Sequence, residues 1–133
     1  MTGAVRRKAD RPRHDRGGGA STVQMTTPDT GARALLNGFT HIPPGGGIPL
    51  HHHNVEESVL ILSGAALVEI DGTTTEGGAG DVVWVQAGVP HRFRNASDSA
   101  PLEIFWTYAG AHATRTLADT GETRPIVSPG GAG

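Results

Sequence analysis

From about residue 33 onward the apolar positions alternate with polar ones over short runs, and no stretch repeats them at helical spacing for long enough to make a helix. The pattern predicts strands over residues 34–42, 48–53, 58–62, 65–70, 73–76, 82–85, 91–95 and 102–108, with 82–85 read as a buried strand. Turn residues separate them at 43–47, 63–64, 77–80 and 87–90. Asp71 followed by Gly72 marks a tight hairpin, because both residues tolerate positive φ. This makes about eight short strands, the spacing of an all-β sandwich or barrel.

Composition sharpens the picture. Twenty glycines and nine prolines in 133 residues disfavour a helical bundle and suit many strands joined by tight turns. The length allows one domain with a real core. No cysteine is present, which removes disulfides, thiolate metal sites and cysteine nucleophiles and is compatible with a reducing cytoplasm, the expected location. The apolar runs are too short for a membrane span or a secretory signal, so a soluble protein with no membrane partner is expected.

Charge is uneven. Arg6, Arg7, Lys8, Arg11, Arg13 and Arg16 crowd the start against Asp10 and Asp15, and run into Gly17, Gly18 and Gly19. With no aromatic residue among them, they read as a disordered arm over 1–30 rather than a nucleic-acid contact, and Met25 offers an alternative start. The folded unit is expected over 31–118, followed by a loose tail over 119–133.

The chemistry concentrates in His51, His52, His53, Glu56 and Glu57, with His91 on a later strand. Residues two apart on a strand share a face, so His51 and His53 look inward together while His52 looks out. Imidazoles favour iron, nickel, copper or zinc, and Glu57 can add an anionic oxygen. His52 and Glu56 are the rival ligands from the same stretch. His14, His41 and His112 carry no spacing argument and read as ordinary histidines.

Two spaced motifs run through these residues: Gly45, His51, His53, Glu57 and Gly64, then Gly80, Gln86, Gly88, His91 and Asn95. In this the chain resembles the cupins across roughly residues 34–108, departing only at Gln86, where the family carries proline on a turn. The resemblance implies a double-stranded β-helix, or jelly-roll barrel, with His51, His53, Glu57 and His91 as the ligands of one divalent transition metal. Iron is the first expectation, with zinc, manganese, nickel, copper or cobalt as alternatives; a metal-free cupin that keeps these residues as a sugar or peptide pocket is a further one.

Strand parity puts Phe93, Val59 and Ile61 on the inward face. On the last strand it favours Leu102, Ile104, Trp106 and Tyr108 over a set containing Glu103, because a lone buried carboxylate is costly. Phe93, Trp106 and Arg115 are therefore candidate substrate contacts, Arg115 as a bidentate carboxylate binder. Tyr108 and Glu103 are nominated as general acid or base should the reaction need one.

Three readings follow. The first is a non-haem iron(II) dioxygenase acting on a small organic substrate. The second is a redox-neutral isomerase, cyclase or lyase using zinc, manganese or nickel as a Lewis acid, and the third a non-catalytic small-ligand binder. Exposed sheet edges lead to an expected homodimer, with residues 30–42 offering a strand to exchange.

Overall fold

Alternation sorts the side chains as the sequence requires. Leu36, Gly38, Thr40 and Ile42 face one way on one strand, and Leu102, Ile104, Trp106 and Tyr108 do the same on its neighbour. The computed structural model of the protein describes residues 2–127. Within these the strands in chain order are β1 (Arg13–Asp15), β2 (Ser21–Thr26), β3 (Leu36–Ile42), β4 (His51–His53), β5 (Glu57–Ser63), β6 (Ala65–Ile70), β7 (Thr73–Gly78), β8 (Val82–Val85), β9 (His91–Asn95), β10 (Leu102–Tyr108), β11 (Thr114–Leu117) and β12 (Thr123–Pro125).

They form two six-stranded antiparallel sheets, ordered β1-β2-β3-β10-β5-β8 and β12-β11-β4-β9-β6-β7. Ile42, Val59, Ile61, Ala66, Phe93, Leu102 and Ile104, drawn from both sheets, form one buried cluster between them. This is a jelly-roll sandwich. The Asp71–Gly72 hairpin forms as expected, with φ of 50° at Asp71 and 86° at Gly72.

The motif residues outside the site are structural. Gly45, Gly64, Gly80 and Gly88 all adopt positive φ. At Gly64 the demand is strict, since a Cβ there would stand 2.4 Å from the Pro101 carbonyl oxygen. Asn95 donates to the carbonyls of Ile42, Pro43 and Ala100 and accepts from the Ser97 N–H, tying three segments together at one buried amide. Gln86 closes its turn without proline: the Val89 N–H donates to its carbonyl at 3.3 Å, and the Gly88 N–H to that of His53 at 2.8 Å.

Three expectations are corrected. The described part of the expected loose arm over 1–30, residues 2–30, is packed onto the sheet, because β2 pairs with β3 along its length and Ala20 and Val23 are buried. The basic side chains do the stitching. Arg6 donates to the Met25 carbonyl and pairs with Asp29, Arg11 donates to the Gln24 carbonyl, and the Lys8 ammonium lies 4.4 Å from the Phe39 ring centre.

Second, β8 is a sheet edge rather than a buried strand, with Val82 and Trp84 64% and 59% exposed. Third, the segment after residue 118 adds β12, which pairs with β11, and buries Ile126. Residues 128–133 of the expected tail lie outside the described residues. The 30–42 segment is already paired within its own sheet through β3, between β2 and β10.

Candidate metal centre

Both sheets contribute to the site. His51 and His53 stand on β4 with His52 turned outward, and His51 is the direct cross-strand partner of His91 at the start of β9. The chain then crosses to the other sheet, where Glu57 opens β5. The result is a cluster of three buried imidazoles whose ligand atoms lie within 4.8 Å of one another.

Hydrogen bonds fix which nitrogen each ring presents. The Nδ1 of His51 lies 2.7 Å from the Pro49 carbonyl, that of His53 2.9 Å from the Thr114 carbonyl, and that of His91 2.9 Å from the Val89 carbonyl. A carbonyl can only accept, so each Nδ1 carries the hydrogen and, in the neutral ring, each Nε2 keeps a bare lone pair. Glu57 Oε1 then lies 3.0 Å from His91 Nε2 and 3.6 Å from His53 Nε2.

A carboxylate oxygen facing bare lone pairs is repulsive unless a proton or a metal cation lies between them. His53 Nε2 is moreover buried with no hydrogen-bond partner among the described residues, which costs roughly 1–3 kcal/mol. The donor set therefore fits a divalent transition metal.

Burial chiefly pushes the His51 pKa down to about 2, reinforced by the neighbouring His91 and His53. His53 is lowered to about 4, again chiefly by burial, against which the Glu57 carboxylate pulls upward. Both rings are thus neutral and ligand-ready at ordinary pH. In the metal-free protein this has a stability cost in acid. The unfolded chain takes up these protons near pH 6.5 while the folded chain does not, so stability falls as pH drops below about 6.5. We expect a loss on the order of 1–2 kcal/mol per histidine by pH 5, measurable as a falling urea midpoint and absent from the His51→Leu/His53→Leu double variant.

Beside the cluster lies a cavity of about 50 Å³, room for a small molecular fragment, lined by His51, Glu57, Ile48, Phe93, Ile104, Trp106, Tyr108 and Ile126, with Thr22, Thr40, Arg16 and Arg115 adding polar edges. Phe93 is fully buried, two residues beyond His91. Trp106 gives its indole N–H to Thr40 Oγ1 at 2.8 Å and offers only its ring to the cavity. The Tyr108 ring centre lies 4.5 Å from that of His53, with the two planes tilted by 55°. Its hydroxyl pKa is held well above 10, first by burial and then by the Glu57 carboxylate, so it stays protonated. Arg115, on β11, is the cross-strand partner of His53.

Glu103 does not belong here. It lies on the outer face of β10, paired with His41, and so is not placed to act as acid or base, contrary to expectation; the parity that sends Ile104 inward sends Glu103 out. Glu56 also faces away, accepting from the Trp84 indole N–H at 2.9 Å. His52 points outward opposite Thr116, and His14, His41 and His112 stand apart from the cluster. Sequence reasoning missed Arg16, Thr22 and Ile126, because they sit in segments whose composition reads as unstructured.

The cupin domain family matches residues 38–108. The chain is 32% identical over 95 residues to a protein named polyketide synthase CurC from Streptomyces cyaneus, covering 71% of this chain and 61% of that protein. It is 32% identical over 97 residues to protein SchB of Streptomyces halstedii, covering 72% and 70%. Among solved structures, an RmlC-like cupin from Shewanella frigidimarina superposes with a TM-score of 0.72 at 18% identity, over 83% of this chain and 93% of that one. The oxalate decarboxylase of Lactobacillus farciminis gives 0.74 at 21%, over 84% of this chain and 34% of that one. These two structural likenesses speak for the fold.

Proposed function

This chain belongs to the cupin family, and from that premise we propose that it is a metal-dependent oxidoreductase of the non-haem iron dioxygenase type acting on a small organic substrate. His51, His53, Glu57 and His91 would hold the ion. An iron(II) ion bound there would provide the open-shell centre through which electrons pass from a closed-shell organic substrate to dioxygen. The protein's own part is to bind, orient and keep dry: Phe93, Ile104 and Trp106 wall the cavity with apolar surface, while Tyr108 holds a proton facing Glu57.

One observation carries the choice of oxygen chemistry. Beyond Glu57 and His51, the polar groups lining the cavity are Arg16, Thr22, Thr40, Tyr108 and Arg115, which are donors or hydroxyls rather than bases. A Lewis-acid isomerase needs a proton acceptor beside its open positions, and the carboxylate nominated for that task faces the other way. The similarity to a protein named as a polyketide synthase supports a substrate with neighbouring oxygens, such as a β-dicarbonyl compound or a catechol.

The redox-neutral reading with zinc, manganese or nickel remains second, favoured by the Tyr108 proton at Glu57, which could protonate an enolate. We extend the first reading to a homodimer, which a monomeric mass in sedimentation at micromolar concentration would refute. No helix among the described residues is long and apolar enough to cross a membrane.

An oxygen electrode tests the reading. Iron-loaded protein supplied with 2,4-pentanedione or catechol is expected to consume oxygen with turnover, and zinc-loaded protein and the His91→Ala variant are not. Turnover without oxygen uptake, sustained by zinc, would move the function to the second reading.

A further inference from the structure

Arg16 owes its position to the glycine run that follows it. The Arg16 N–H donates to the Ala20 carbonyl at 2.8 Å and the Ala20 N–H to that of Gly17 at 3.0 Å, closing a tight turn between β1 and β2. At Gly19, whose φ is 80°, a Cβ would stand 2.7 Å from the Pro43 ring, so the turn is pressed against the neighbouring loop. The Arg16 Nε then donates to Thr22 Oγ1 at 2.8 Å, which holds the guanidinium against the cavity edge.

Arg115 reaches the same cavity from β11, in the opposite sheet. Arg6, Arg92 and Arg124 have carboxylate partners in Asp29, Glu69 and Glu122. Arg16 and Arg115 have none among the described residues within 4.0 Å. Two half-buried guanidiniums thus share one small cavity with the Glu57 carboxylate, which lies more than 4.0 Å from both and faces the histidines instead. Burial first, and then repulsion from the Arg115 charge, lower the Arg16 pKa. An anion between the two relieves that repulsion, and the planar fork of arginine matches a carboxylate.

We propose that Arg16 and Arg115 form an anion clamp at the edge of the metal cavity, and that the substrate carries a carboxylate gripped there while its apolar part lies against Phe93, Ile104 and Trp106. The assignment rests on the metal-enzyme reading for its setting and names the substrate class of that site. It also gives the N-terminal segment a role: β1 and β2 carry one half of the substrate site.

Calorimetric titration of the full-length, metal-free protein tests the clamp directly. The probes are acetate, butyrate and benzoate, each against its neutral amide. Carboxylates are expected to bind at least about tenfold more tightly than the amides, to lose about tenfold or more in Arg16→Gln and in Arg115→Gln, and to recover part of it in Arg16→Lys. Equal binding of acid and amide, no binding of any carboxylate, or unchanged affinity in both glutamine variants would overturn the proposal. Because the two arginines come from separate strands, either variant tests the clamp should the other misfold. A zinc titration of the same samples separates the two claims. Zinc binding without carboxylate binding removes the clamp alone, and carboxylate binding by a wild-type protein that takes up no zinc removes the metal reading and leaves the clamp.

Discussion

The His53→Ala variant is expected to lose metal affinity by more than about 100-fold, since outer partners of a ligand alone are worth 10–100-fold and this change removes a ligand. His53 is the decisive position because its Nε2 is buried without a hydrogen-bond partner among the described residues, its Nδ1 is anchored on the Thr114 carbonyl, and its ring packs between His51, His91 and Tyr108. Elemental analysis of anaerobically purified protein should find near-stoichiometric metal in the wild type and little in the variant.

Stability offers an independent readout. An ion that binds only the folded chain raises stability by about 2.7 kcal/mol at a hundred times its dissociation constant. Added metal should therefore raise the wild-type Tm and leave that of His53→Ala where it was. His52→Ala is the matched control: its side chain points away from the cluster, so metal content and the Tm shift should persist. Metal retained in His53→Ala but lost in His52→Ala would mean that the strand presents its other face.

That control also marks what the sequence could reveal. The period of two along His51, His52 and His53 sorts ligand from bystander with no knowledge of the fold, and the same parity put Phe93, Ile104, Trp106 and Tyr108 inside. Parity fails where composition is the only guide. A run of arginines and three glycines has the signature of a solvated arm, because such residues rarely bury apolar surface. Here the Arg6 and Arg11 side chains donate to carbonyls, a hydroxyl and a carboxylate supplied by residues 24–29, and the glycines make a tight turn. Those partners exist only once β2 has docked on β3, so no local property of the chain announces them. Arg16 was invisible for the same reason. Glu103 is a different case: the need for a base points to it, while strand parity turns it outward to pair with His41.

Gly38 in the interior of β3 is a signal of another kind, and replacing it by valine is expected to destabilise the fold by about 3–5 kcal/mol, with alanine roughly half as costly. A glycine inside a strand often marks a bulge or a close backbone approach. Both occur here. The β2–β3 register shifts between Gln24 and Thr26, beside the Gly38 pairing, and a Cβ at Gly38 would stand 2.5 Å from the Val23 carbonyl oxygen and 2.7 Å from the six-membered ring of Trp106. Neither neighbour can yield freely. Val23 is held by the β2–β3 ladder, and Trp106 is buried with its indole N–H committed to Thr40. Urea unfolding of the alanine and valine variants gives the size of the effect, and Trp106→Phe locates its source. Phenylalanine lacks the fused ring that the new Cβ would strike, so the double variant Gly38→Ala/Trp106→Phe should cost less than the sum of its parts by about 1 kcal/mol. Strict additivity would place the whole clash on the Val23 carbonyl. Rescue would tie the fold to the site, because it would mean that the ring walling the cavity is positioned by the missing side chain at residue 38.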